Sequence, residues 1–102
     1  MQLVHIDAPL PRFEWDEGKR RRNLQKHQLD FVDALAIFRE PVGLVDAVGT
    51  QGEERYLAIG HAEGRILAVV FTWRAGSLRI ISARRASRDE RRTYRDLRSP
   101  EA

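Results

Sequence analysis

Residues 43–84 read GLVDAVGTQGEERYLAIGHAEGRILAVVFTWRAGSLRIISAR, and this stretch decides the fold. It holds four runs of strand character, Gly43–Ala47, Glu54–Gly60, Arg65–Trp73 and Ser77–Arg84. Connections rich in turn residues separate them at 49–52, 61–64 and 75–76. Connections this short join antiparallel neighbours, since a parallel crossover needs about a dozen residues. Run 65–73 is almost wholly apolar, which places it centrally in the sheet. Upstream, Phe31, Ala34, Leu35 and Phe38 fall at i, i+3, i+4 and i+7, one face of a helix. Asp30 caps that helix and Glu40-Pro41 stops it. Asp16 caps another helix running to about His27, on which Leu24 is nearly the only apolar residue. Phe13–Trp15 reads as a short strand, with further strand character at Leu3–Ile6. Downstream, Ser87 and Glu90 form a capping box for a last helix through Tyr94 to about Leu97, before Pro100. The order β-α-α-β-β-β-β-α predicts an α+β domain. Two N-terminal helices pack on a mainly antiparallel meander sheet, and a C-terminal helix follows. Residues 13–98 form that single domain, between an extension at 1–12 and a tail at 99–102.

The chain has 102 residues, about the size of one domain, and 42% of them are apolar, enough for one core. It has no cysteine. Disulfide frameworks, thiolate nucleophiles and cysteine zinc sites are thereby excluded, and a reducing cytoplasm is the expected setting. The longest run free of charge, Ile66–Trp73, is far too short to span a membrane. The start, MQLVHIDAPLPR, lacks the basic and apolar segments of a secretory signal. The net charge of +3 hides an uneven layout: residues 12–26 carry +3, 27–78 carry −3 and 79–98 carry +5. Sixteen of the eighteen basic residues are arginine, whose planar fork binds phosphate in bidentate fashion. A polyanion partner is the functional reading of this layout. The plain reading is a soluble, arginine-rich surface.

The three histidines, His5, His27 and His61, form neither an H-x-H nor an H-E-x-x-H pair, so neither metal nor cofactor is expected. No glycine-rich phosphate loop stands between a strand and a helix. The basic residues say more. Arg88, Arg92 and Arg95 fall at i, i+4 and i+7 on the last helix, and Arg91, Arg95 and Arg98 repeat the spacing. Like charges so placed repel, and an anionic partner would offset that cost beyond what Asp89, Glu90 and Asp96 supply. Lys19, Arg22 and Lys26 line one side of the first helix. By alternation Arg55 shares a strand face with Leu57 and Ile59, opposite Glu54, Tyr56 and Ala58. Likewise Leu78, Ile80, Ser82 and Arg84 share a face opposite Arg79, Ile81 and Ala83. Arginines converging on a sheet suit a ribonuclease that works without metal. Such an enzyme needs a base for the 2′-hydroxyl, cations for the phosphorane and an acid for the leaving oxygen. The candidates for proton transfer are Lys26, His27, His61 and Glu54.

Five segments together resemble the BrnT toxin family: FEWDEGKRRRNLQKH at 13–27, FVDALAIFREP at 31–41, GEERYLAIG at 52–60, GRILAVVFTWRAG at 64–76 and LRIISARRASRDERRTY at 78–94. The resemblance covers about residues 13–97. It implies a RelE-like fold and a type II toxin–antitoxin toxin: a small, metal-independent ribonuclease that cleaves RNA and arrests translation and growth in a prokaryotic cytoplasm. It also implies a BrnA-like antitoxin with a ribbon-helix-helix domain, through which alone the toxin reaches operator DNA. The alternative is a nuclease-inactive module that holds an antitoxin and tunes repression. By motif, Arg84 and Arg55 would stabilise the phosphorane, Lys26 and Arg79 would hold the flanking phosphate, and His27 or Glu54 would move protons. Lys19, Arg22, Arg85, Arg88 and Arg92 would bind RNA, with Tyr94 in reserve. The family usually carries glycine after its K-H pair, where this chain has Gln28, so that turn needs a left-handed or otherwise adapted conformation. The antitoxin is expected over a groove between the first helix and strand 77–84, steered by Arg88, Arg92 and Arg95. Trp15 or Trp73 would anchor it wherever they are exposed.

Overall fold

The turn chemistry of residues 61–76 folds this part of the chain back on itself twice. Glu63-Gly64 and Ala75-Gly76 all adopt positive φ, the two-residue geometry whose twist matches that of paired strands. A computed structural model describes residues 1–6, 12–50 and 53–99. Its sheet contains β1 (Gln2–Val4), β2 (Arg12–Trp15), β3 (Val42–Thr50), β4 (Glu53–Ala62), β5 (Arg65–Arg74) and β6 (Ser77–Arg85), in the order β1-β3-β4-β5-β6-β2. Strands β3 to β6 form the expected antiparallel meander. Residues 51 and 52 of the 49–52 connection, and Pro9, Pro11 and Pro100, lie outside the described residues.

The expected packing of two N-terminal helices on this sheet, in a RelE-like arrangement, is corrected by the structure, although the class remains α+β. The N-terminal segment instead supplies both outer strands. β1 pairs antiparallel with β3, and β2 pairs parallel with β6, so the sheet is mixed. Reasoning from short turns cannot find a partner so distant in sequence. Helix α1 (Glu17–His27) buries Asn23 alone, leaves Leu24 exposed and lies along the margin of β6. The second helix is a single turn, α2 (Phe31–Ala34), continued by a 3-10 segment at Leu35–Arg39. The buried residues explain the tighter winding. Phe31, Ala34 and Ile37 stand at three-residue intervals and are wholly buried, which matches three residues per turn. Leu35, expected on the buried face, is only half-buried.

These short helical turns cover one face of the sheet. Phe38 meets Phe71 edge-on at 5.8 Å, over a floor that includes Ala58, Val69, Leu78 and Ile80. A Cβ on Gly60 would come within 2.7 Å of the Ile37 Cβ, so only glycine lets the 3-10 segment settle on β4. Helix α3 (Arg88–Arg98) crosses the second face from the end of β6 to the start of β3. There Tyr94 packs with Ile59, Ala68 and Ala86 and donates its hydroxyl to the Pro41 carbonyl at 3.4 Å. The capping box of Ser87 and Glu90 opens α3 as its sequence predicts.

Candidate active site

A bulge in β6 sorts the arginines. Val70 pairs with Ser82 but Phe71 with Ile80, which leaves Ile81 as an extra residue. Strict alternation put Arg79 and Arg84 on opposite faces. The bulge shifts the register by one, so Ala83 joins Leu78 and Ile80 in the first-face core. Arg84, opposite Ala68, then shares the second face with Arg79, opposite Thr72. Arg55 lies on that face as well, in step with Leu57 and Ile59. Glu54 lies on the other face, where its carboxylate accepts the Tyr56 hydroxyl at 2.7 Å. That carboxylate raises the pKa of the Tyr56 phenol, with burial adding to the effect.

Each of the three sheet arginines already holds a carboxylate. Arg55 approaches Glu53 at 3.4 Å. Arg79 approaches Glu14 of β2 at 3.5 Å. Arg84 grips Glu90 through two bonds of 2.7 and 3.0 Å. Glu90 also accepts the Ser87 backbone N–H at 2.7 Å. The Arg84 fork, helped by Ser87, holds the Glu90 carboxyl at about 2 against the opposing pull of burial. Glu90 in turn raises the pKa of Arg84. Arg84 therefore fastens α3 to β6.

On α1, Asn23 makes three buried bonds. Its amide donates to the carbonyls of Leu29 at 3.0 Å and Ala83 at 2.8 Å, and its oxygen accepts the Ala83 N–H at 3.0 Å. It thus pairs with β6 beyond the end of β2, and at this point the expected groove between helix and strand is closed. His27 lies one turn further along the same helix face and is half-buried, while Lys26, Lys19 and Arg22 are exposed. The turn that follows is left-handed at Gln28, with φ 53° and its N–H bonded to Leu24.

A cavity of about 870 Å3 opens between α3 and the end of the β4–β5 hairpin. Its wall includes His61, Arg65, Arg85, Arg91, Tyr94, Arg95 and Arg98. Among the described residues, Arg65, Arg85, Arg91 and Arg95 have no carboxylate within 4.0 Å. Arg91 is oriented by the Ala86 carbonyl at 2.8 Å, whereas Arg98 is held by Glu40 at 3.4 Å and rests over the Tyr94 ring. Arg88 and Arg92 line a smaller hollow, with Arg91, Arg95 and Asp96, elsewhere on α3. Glu40 lines the cavity too, engaged by Arg98, and the four guanidinium groups without carboxylates together with one imidazole make an anion site that can also move a proton. Among the described residues, no three His, Cys, Asp or Glu side chains gather as a metal site would require.

Residues 15–90 match the family described as the ribonuclease toxin BrnT of type II toxin–antitoxin systems. The chain belongs to the BrnT family. No curated protein matches it. Membership makes this BrnT chain a ribonuclease toxin of a system that includes an antitoxin. No described helix is long and apolar enough to cross a membrane. Of the residues singled out from the sequence, the structure brings Arg55, Arg79 and Arg84 to one face of the BrnT sheet, Arg85 to the cavity, and Arg88 and Arg92 to α3. Glu54 stands apart from all of them. Helical spacing grouped Arg91, Arg95 and Arg98, but His61 was read into the connection at 61–64, whereas β4 runs on to Ala62 and carries it. Only the crossing of α3 over the sheet shows that His61 and these three arginines line one cavity with Arg65.

Proposed function

We propose that the toxin cleaves RNA without a metal in the cavity between α3 and the β4–β5 hairpin. The observation that carries this reading is the set of four arginines without carboxylate partners around His61. In the reaction the 2′-oxygen attacks the adjacent phosphorus and the bond to the 5′-oxygen breaks. His61 takes the 2′-proton and hands it to the leaving 5′-oxygen. Arg65, Arg85, Arg91 and Arg95 spread their charge over the phosphorane. The product ends are a 2′,3′-cyclic phosphate and a 5′-hydroxyl. Arg55 and Arg84, expected at the phosphorane, and Arg79, expected at the flanking phosphate, serve structure in this reading because each already contacts a carboxylate. The same reading includes arrest of translation and growth, and neutralisation by a BrnA-like antitoxin whose ribbon-helix-helix domain meets operator DNA.

The test uses the purified chain, free of antitoxin, on an RNA oligonucleotide in EDTA. Cleavage should persist and leave cyclic phosphate ends. His61→Gln should slow it by about 100-fold or more, the usual worth of a proton-transfer group. Loss of activity in EDTA with recovery in magnesium, or a full rate in His61→Gln, overturns the proposal. A second reading has one observation in its favour: Asn23 fastens α1 to β6 and sets His27 toward the Arg84–Arg85 end of that strand. Under it, His27→Gln inactivates and His61→Gln does not.

A further inference from the structure

Trp73 is 45% exposed at the far end of a strand that is otherwise largely buried. Its ring stands edge-on to Phe71 at 5.9 Å, and Phe71 stacks on Tyr56 at 5.6 Å. The other tryptophan, Trp15, is half-buried and engaged edge-on with Phe31. Beside Trp73 lies an open hollow of about 300 Å3, lined by Glu53, Glu54, Tyr56, Thr72 and Trp73. The Thr72 hydroxyl bonds the Glu54 carbonyl at 2.6 Å and ties the two strands together beneath it. Glu53 is shared between Arg55 at 3.4 Å and Arg74 at 3.9 Å. Glu54 bonds the Tyr56 hydroxyl and, among the described residues, has no cationic partner. The phenol is held protonated by that carboxylate, with Asp46 adding negative field. In a chain with sixteen arginines, this corner combines an open indole, a second aromatic ring and a carboxylate without a cation.

We infer that this hollow docks an arginine or lysine side chain presented by a protein partner. A guanidinium laid on the indole would gain cation–π attraction while its fork meets Glu54. The Glu54 carboxylate, which no cation among the described residues offsets, repels phosphate, so RNA is the wrong occupant, and the site is separate from the cavity proposed for cleavage.

The experiment follows the Trp73 indole N–H by NMR in the whole chain while N-acetyl-arginine amide is added. The expected result is a saturating shift in the millimolar range, at least tenfold weaker with the neutral citrulline analogue. Glu54→Gln should weaken binding several-fold and Trp73→Ala should abolish it, while RNA cleavage stays at the parent rate in Trp73→Ala. Trp73→Phe, which keeps an aromatic face, should retain part of the binding. Equal binding of the neutral analogue, binding that survives Trp73→Ala, no saturation, or a shift produced by adenosine monophosphate instead would each overturn the inference. None of these outcomes depends on whether His61 proves to be the catalytic group.

Discussion

Two buried or half-buried polar residues, Asn23 and Glu90, hold the BrnT helices where the site needs them. Asn23 satisfies both backbone groups of Ala83, so Asn23→Ala would strand a buried donor and acceptor. It should cost about 2–3 kcal/mol, read by urea denaturation. Glu90 has its pKa depressed by Arg84, so the folded state binds protons less readily there than the unfolded chain does. The stability it confers is complete above about 4.5 and is lost as pH falls toward about 2. Both partners meet solvent, so the loss should be on the order of 2 kcal/mol, below what the full shift implies. Glu90→Gln should remove that part of the acid dependence and weaken α3 at neutral pH. Unfolding curves of both proteins between pH 7 and pH 2.5 check the sign: the difference must shrink as pH falls.

At the scale of elements, the chain spends backbone strain at its turns. Gln28 and Ala75 both hold φ near 50° without being glycine. Left-handed backbone costs a residue with a Cβ about 1 kcal/mol. Gln28→Gly should therefore stabilise the α1 end by about 0.5–1 kcal/mol, reduced by loss of the Gln28 side-chain bond to the Gln25 carbonyl. Ala75→Asn should stabilise the β5–β6 hairpin by a similar amount, since asparagine followed by glycine favours this turn. Thermal unfolding measures both. If either variant is less stable than the parent, strain in that turn is not what limits it. The same scale explains the second helix. Its apolar residues suit a period of 3.6 through Leu35 and Phe38, or a period of three through Ile37. Docking against Gly60 selects the latter over the second half of the segment.

Over the whole molecule, the charge pattern separates into the Glu54 carboxylate beside Trp73, without a cation among the described residues, and a basic tract along α3. RNA that follows this tract releases counterions, so its binding should weaken steeply with salt. Replacing Arg91 and Arg95 by glutamine should lower the slope of log affinity against log salt by about 0.7 for each single-strand phosphate no longer neutralised. An unchanged slope would show that α3 is a solvated face. Replacing Arg88, Arg92 and Arg95 together should slow association with an acidic antitoxin, most clearly at low salt.

Much was legible in the sequence because it is local. The meander follows from short turns and the α3 cap from Ser87 and Glu90, while the missing glycine marked Gln28 as an adapted turn that the structure makes left-handed. Family membership too is written in the order of the motifs. Other features depend on what distant segments bring to each position. The strand register of β6 passes through a bulge at Ile81 that alternation cannot foresee, and that bulge alone sets Arg79 and Arg84 on one face. Whether an arginine is free or neutralised depends on which carboxylate folding brings beside it: Glu14 for Arg79, and Glu90 for Arg84. The parallel pairing of β2 with β6 and the crossing of α3 over the sheet join residues far apart in the chain. Only burial of the shared core makes those pairings favourable, so the tertiary structure decided where the cations without partners converge.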